Sequence, residues 1–98
     1  MIPNKVKVAG IEYEIYQVEE IDDDPGNMGS CIYQKSFIKL KESMSEHKKE
    51  QTFIHEVLHA CFNEAGFQKQ DEDMVNRLGI VLHQVLKDNK LYFGDKHD

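Results

Sequence analysis

The sequence predicts an α+β fold in which a small antiparallel sheet of about three strands packs on two helices. The first part of the chain, residues 5–40, alternates apolar and polar side chains in short runs, which is the period of half-buried strands. Residues 44–88 instead repeat apolar side chains at intervals of three and four, the period of amphipathic helices. A chain of 98 residues has the length of one small domain, and we assign residues 1–98 to a single domain.

Three segments make up the predicted strand region. KVKVAGIEYEIYQVEE (residues 5–20) alternates strongly and can turn at Ala9 and Gly10, which indicates one or two strands. DDDPGNMGS (22–30) is rich in turn formers and predicts a loop. CIYQKSFIKL (31–40) is β-prone with bulky groups on both sides, as expected of a strand flanked by helices or by substrate.

The first helix is expected over about residues 44–65. Ser43 and Glu46 have the spacing of a capping box, in which the Ser side chain accepts from a backbone N–H and the Glu side chain reaches back. Apolar residues then recur at helical spacing, and Gly66 supplies a C-terminal stop. The apolar positions are Phe53, Ile54, Val57, Leu58, Cys61, Phe62 and Ala65.

The second helix is expected over about residues 71–88, ending near Asn89. It opens on three acidic residues, which the positive end of the helix dipole favours. Its predicted apolar stripe comprises Val75, Leu78, Val81, Leu82, Val85 and Leu86.

Composition excludes several classes of function. Eighteen acidic residues against twelve basic ones give a net charge of −6, and the basic residues form no stripe, so nucleic-acid binding is disfavoured. No apolar run is long enough to span a membrane and no signal peptide is visible, so we expect a cytoplasmic protein without a membrane partner. Two cysteines, Cys31 and Cys61, are expected to be reduced, with Cys61 filling the core.

The segment QTFIHEVLHACF, residues 51–62, carries the pattern H-E-x-x-H in His55, Glu56 and His59. On a helix, residues four apart project from the same face, so the two imidazoles can bind one metal ion. From the next position, Glu56 can take a proton from a metal-bound water and pass it to a leaving amine. The alternative is an ordinary helix with two histidines, because isolated pairs at this spacing are usually solvated or part of a core.

A catalytic zinc site normally has three protein ligands, so a third must come from elsewhere. His47 lies eight residues before His55, two helical turns away, and is too far along the axis. His83 lies well inside the second helix and His97 in the tail, and surface histidines are the more common explanation for both.

The acidic start of the second helix offers a better third ligand. If the chain reverses over GFQKQ (66–70), this helix begins close to the metal-binding face of the first and runs back along it. Glu72 shares a helical face with Gly79, which lets two helices approach, so Glu72 is the expected ligand. Asp71 is expected to be the N-cap and Asp73 a solvated charge. Three acidic residues that complement the helix dipole would explain the composition equally well.

TFIHEVLHACFNEAG followed by DEDMVNRLGIVLHQVLKDN resembles the small phage and prophage zincin-like proteins related to the ImmA/IrrE metallopeptidases. In that family H-E-x-x-H precedes a second helix that bears a Glu, and EDMVNRLG (72–79) matches its setting. The resemblance covers about residues 29–89 and implies a gluzincin-type site with one Zn²⁺ per chain on His55, His59 and Glu72. The chain departs from the family in the short spacing from His59 to Glu72 and in lacking additional helices, which implies an abbreviated substrate cleft.

The expected function is zinc-dependent hydrolysis of a peptide or protein substrate, with Glu56 as general base. An extended peptide is expected to pair with the strand at residues 31–40. Tyr33 and Tyr13 are candidates to stabilise the oxyanion, although buried strand tyrosines are more common. A zinc-stabilised binding or regulatory protein with little turnover is the alternative, and a metal-free interaction domain would leave the histidine motif unexplained.

Overall fold

The computed structural model describes residues 2–91 and 93–94, which form one four-stranded sheet and two helices. The expected α+β class is confirmed. In chain order the elements are β1 (Lys5–Val8), β2 (Ile11–Val18), β3 (Gly29–Ile32), β4 (Phe37–Lys41), α1 (Glu46–Glu64) and α2 (Glu72–Asp88).

The sheet has four strands rather than about three, and it is mixed rather than wholly antiparallel. Its order is β1-β2-β4-β3. β1 and β2 form a tight hairpin, in which Ala9 and Gly10 both have positive φ (52° and 80°), as a type I′ turn requires. β2 and β4 are parallel because the loop over residues 19–28 carries the chain past the position that β4 later fills. β3 is therefore the strand at the outer edge.

Residues 31–40, expected to be one strand, are divided between two. After β3 the chain makes a 3-10 turn at Tyr33–Lys35, and Ser36 adopts the left-handed conformation with φ of 55°. β4 then returns antiparallel to β3 and pairs Ile38 with Cys31. Apolar alternation runs through both segments, so the pattern gives no sign of the turn between them. As a result β3 has the open edge and β4 is an inner strand.

α1 lies between the sheet and α2. It begins two residues later than the capping-box pattern suggests, because Ser45, rather than Ser43, is the N-cap and its Oγ accepts from the Lys48 N–H at 3.2 Å. Gly66, with φ of 98°, follows the helix as expected. Cys61 is exposed instead of filling the core. The buried apolar cluster between α1 and the sheet comprises Ile2, Val8, Tyr13, Ile15, Ile38, Leu40, Phe53 and Ala60.

α2 forms the outer layer and packs on α1 through a narrow seam. Asp71 caps it as expected, with Oδ1 accepting from the backbone N–H groups of Asp73 and Met74. Its buried residues are Val75, Gly79 and His83. Much of the expected apolar stripe faces solvent instead, namely Leu78, Val81 and Leu86. Neither helix in the described part of the chain is both long and apolar enough to cross a membrane.

Candidate metal centre

The two motif histidines lie on the side of α1 that faces α2, while the motif glutamate is turned toward the sheet. At about 100° per residue, His55 and His59 are separated by about 40° around the helix and Glu56 lies about 60° beyond His59. α1 contacts both the sheet and α2, so it presents the histidines at the junction of the helices and places Glu56 beneath β3.

Glu72, the first residue of α2, meets both histidines. Its Oε2 lies 2.8 Å from His55 Nε2 and its Oε1 lies 2.9 Å from His59 Nε2. The two Nε2 atoms are 3.2 Å apart. The structure therefore brings together the three residues expected to bind metal, and their candidate ligand atoms all lie within 4.8 Å of one another.

These two nitrogens and the two oxygens of the Glu72 carboxylate lie at distances that are compatible with a shared zinc ion. Tetrahedral coordination with bonds of about 2.0–2.1 Å places ligand atoms about 3.3 Å apart, close to the 3.2 Å between the two Nε2 atoms. The two N···O distances are hydrogen-bond lengths and need to open by only about half an ångström. Two imidazoles and one carboxylate are also a donor set that zinc accepts in catalytic sites.

The other candidate ligands in the described part of the chain contact residues outside the metal-binding group. Asp73 pairs with Arg77 at 3.1 Å on the surface, as expected of a solvated charge. His83, expected on the surface, is 6% exposed and its Nε2 lies 3.1 Å from Glu50 Oε1. The His47 ring packs against His83 with 5.2 Å between centroids. His97 lies outside the described residues. Among the described residues, Asp73, His83 and His47 lie outside the ligand group.

Glu56 is a buried carboxyl beside the metal-binding group. It is 6% exposed, and within residues 2–91 and 93–94 it has no hydrogen-bond partner. The β3 backbone covers it, since a Cβ added at Gly29 would lie 3.0 Å from Glu56 Oε2. Burial raises the pKa of Glu56 to about 7, with His59 lowering it and Glu72 raising it to a smaller extent. The carboxyl can therefore change its protonation near neutral pH, as a general base requires.

Gln70, in the loop before α2, contacts the second histidine and was not expected from the sequence. Its Oε1 lies 2.6 Å from His59 Nδ1, while its Nε2 donates to the Tyr33 hydroxyl at 3.2 Å and to the His59 carbonyl at 3.4 Å. Loop residues follow no apolar period, so periodicity could not single it out. The only sequence signal is a neutral hydrogen-bonding residue two positions before Glu72.

The two tyrosines considered for oxyanion stabilisation lie in different places. Tyr13 is fully buried in the core and donates to Glu64 Oε2 at 2.6 Å, so it is a structural residue. Tyr33 is half-buried in the 3-10 turn, not on a strand. Burial is the main cause that raises the pKa of Tyr33, and the nearby charges of Glu56 and Glu72 act in the same direction while the bond from Gln70 opposes them. Tyr33 is therefore a protonated hydroxyl near the site.

Both cysteines, Cys31 and Cys61, are free thiols, as expected. Burial, together with the charges of Glu56 and Glu64, raises the pKa of Cys31 to about 12. The thiol is therefore protonated at neutral pH and is a poor nucleophile.

A cleft of about 390 Å³ opens beside the ligand group. Residues 26–29 form one wall, α1 contributes its face from Lys48 to Glu56, and α2 contributes the face from Glu72 to Ile80. Gly79 lies at the base, where a Cβ would be 3.6 Å from His55 Cα. The cleft therefore brings together two candidate ligands, His55 and Glu72, the buried carboxyl of Glu56 and the start of the edge strand β3.

Comparisons of the chain with family models, with curated proteins and with solved structures found no match.

Proposed function

We propose that the protein is a zinc-dependent metallopeptidase that binds one zinc ion through His55, His59 and Glu72. The observation that carries this proposal is the convergence of two imidazole nitrogens and one carboxylate at distances of 2.8–3.2 Å, beside a buried glutamate that has no hydrogen-bond partner among the described residues. When bound, the zinc ion activates a water molecule and polarises the scissile carbonyl.

Glu56 acts as the general base and then as the general acid. Burial raises the pKa of this carboxyl in the metal-free protein, so it can accept a proton from the attacking water and release that proton to the leaving amine. Its cover by the β3 backbone excludes water from one side and fixes the carboxyl relative to the cleft. Tyr33, whose hydroxyl is hydrogen-bonded to Gln70 beside His59, is the proposed O–H donor to the substrate carbonyl, on which negative charge develops.

An extended peptide is the proposed substrate. Within the described part of the chain β3 pairs with β4 on one side only, so its other edge offers backbone groups that a peptide strand can use. Met28 and Gly29, at the start of this edge, also line the cleft that contains His55 and Glu72. A peptide paired with β3 would therefore run past the proposed ligands.

Metal analysis and peptide cleavage test the proposal together. Purified protein is expected to carry one zinc ion per chain and to cleave members of an unbiased peptide library, with loss of cleavage on chelation. Glu56→Gln is expected to keep the zinc and lose turnover, whereas His59→Ala is expected to lose the zinc. His47→Gln, at an exposed position outside the ligand group, is the matched histidine control and should retain both. Full activity in Glu56→Gln would refute the role of Glu56.

The alternative, a zinc-stabilised binding or regulatory protein with little turnover, is favoured by one observation. Glu72 belongs to α2, which packs on α1 through the narrow seam at Val75, Gly79 and His83. A metal that joins Glu72 to α1 would therefore hold the outer helix in place. Zinc binding without cleavage of any library peptide, combined with a large fall in melting temperature on chelation, would support this role against catalysis.

A further inference from the structure

The hydrogen bonds of Gln70 determine which nitrogen of His59 carries a proton. A main-chain carbonyl can only accept, so the amide end that lies 3.4 Å from the His59 carbonyl must be the NH₂ group. The other end, Oε1, then lies 2.6 Å from His59 Nδ1 and must receive a proton from it. His59 is thereby held with Nδ1 protonated, which leaves Nε2 as the nitrogen that faces His55 and Glu72 and that can bind a metal ion.

The same amide determines the direction of the hydrogen bond to Tyr33. Because Gln70 Nε2 donates to the Tyr33 hydroxyl oxygen at 3.2 Å, the hydroxyl proton is not used in that bond. Tyr33 can donate it to another acceptor.

We propose that Gln70 is a positioning residue that holds His59 in the metal-binding tautomer and leaves the Tyr33 proton available to the substrate carbonyl. This inference rests on the proposed function and adds to it a residue that touches neither metal nor substrate. Hydrogen bonds from a metal-bound histidine to an outer acceptor fix its ring, and their loss typically costs 10-fold to 100-fold in metal affinity. The amide of Gln70 therefore contacts both a proposed zinc ligand, His59, and a proposed oxyanion donor, Tyr33.

Two substitutions at position 70 separate these roles. Gln70→Ala removes the acceptor for His59 and is expected to weaken zinc binding about 10-fold to 100-fold. Gln70→Glu keeps an acceptor for His59 Nδ1, so the loss of zinc affinity expected for Gln70→Ala should not occur. Its second carboxylate oxygen can only accept, however, so the Tyr33 hydroxyl must now donate to it. We therefore expect both Gln70→Glu and Tyr33→Phe to lose kcat, with zinc retained.

Zinc affinity is measured by competition with a chromophoric chelator, and the His59 tautomer by NMR of the histidine side-chain nitrogens in metal-free protein. Wild type should show His59 protonated at Nδ1, and Gln70→Ala should lose that preference. Gln68→Ala changes an exposed glutamine of the same loop and should match wild type throughout. Circular dichroism establishes that each variant is folded.

The outcomes distinguish the inference from the proposed function. Wild-type protein that binds no zinc would overturn both. Wild type that binds one zinc ion while Gln70→Ala binds it equally well, with an unchanged tautomer, would overturn only the role of Gln70 at His59. Full turnover in Gln70→Glu would overturn its role at Tyr33.

Discussion

Replacing Glu56 by Gln in the metal-free protein is expected to raise stability at high pH and leave it unchanged at low pH. The glutamine has the shape of a protonated glutamate but never ionises. Glu56 is 6% exposed and lies beneath the β3 backbone, where an ionised carboxylate without a hydrogen bond is costly. The difference between the two proteins therefore reports the cost of charging this one carboxyl.

The size of the effect follows from the pKa of Glu56, which rises from 4.5 to about 7 on folding. Each pKa unit corresponds to about 1.4 kcal/mol, so the full effect is up to about 3 kcal/mol. Because the folded-state pKa is the higher one, the favourable contribution is complete below about pH 4.5 and is lost as the pH rises through 7. Between pH 4.5 and about pH 7 wild type should thus lose stability relative to Glu56→Gln. Above this range the difference in free energy of unfolding between the two proteins should be constant.

Urea denaturation in the presence of a chelator, at intervals from pH 4.5 to 8.5, measures the difference directly. Glu42→Gln, which replaces an exposed glutamate, is the control and should follow wild type across the range. A pH-independent difference between Glu56→Gln and wild type, or a variant less stable than wild type at pH 8, would refute the assignment. With zinc bound, the stability difference between Glu56→Gln and wild type should become smaller, because a nearby cation favours the charged carboxylate of Glu56.

Further predictions concern packing and a second polar cluster. Gly29→Ala should lower the free energy of unfolding by about 1–3 kcal/mol and impair turnover, because the new Cβ would lie 2.7 Å from Thr52 Cγ2 and 3.0 Å from Glu56 Oε2. Gly79→Ala should be neutral or stabilising by up to about 1 kcal/mol, since its Cβ would meet His55 Cα at an ordinary 3.6 Å and alanine favours a helix. Urea denaturation compares the two, and equal destabilisation would contradict the packing argument. Hydrogen bonds from Lys87 and His83 lower the pKa of Glu50 to about 2, so this carboxylate stabilises the fold above about pH 4.5 and the benefit is lost as the pH falls toward 2. Glu50→Gln should be less stable than wild type at pH 6 and equal near pH 2 in thermal melts, and the same deficit at both values would count against the ion-pair explanation.

The meeting of His55, His59 and Glu72 could be anticipated from the sequence because it depends on local rules. Residues four apart on a helix share a face, and the acidic start of α2 comes back to α1 after a short loop. Gln70 could not be anticipated, because its role depends on where the loop places one amide relative to the His59 ring and the Tyr33 hydroxyl.

The fold, too, was predictable where it depends on local sequence rules and not where it depends on tertiary packing. The helix ends were predictable within a few residues, since Ser45, Gly66 and Asp71 belong to residue types that favour caps and stops. The rotation of α2 about its own axis was not predictable, because the spacing of apolar residues shows which face is apolar but not which face meets α1. α2 turns Gly79 toward His55 and leaves Leu78 exposed. The helices approach closely at this glycine, and Glu72 at the start of α2 contacts both histidines.

The contacts of α2 explain how so short a chain can form the proposed site. At its start Glu72 meets His55 and His59, and near its end His83 and Lys87 both contact Glu50 of α1. Between these polar ends only the narrow seam around Gly79 is buried, so apolar packing alone fixes the helix weakly. A zinc ion bound at Glu72 would add its binding free energy to the docking of α2, and the same docking would keep the third ligand in place. Metal binding and folding would then support each other, which is how a small core could hold the proposed ligand set.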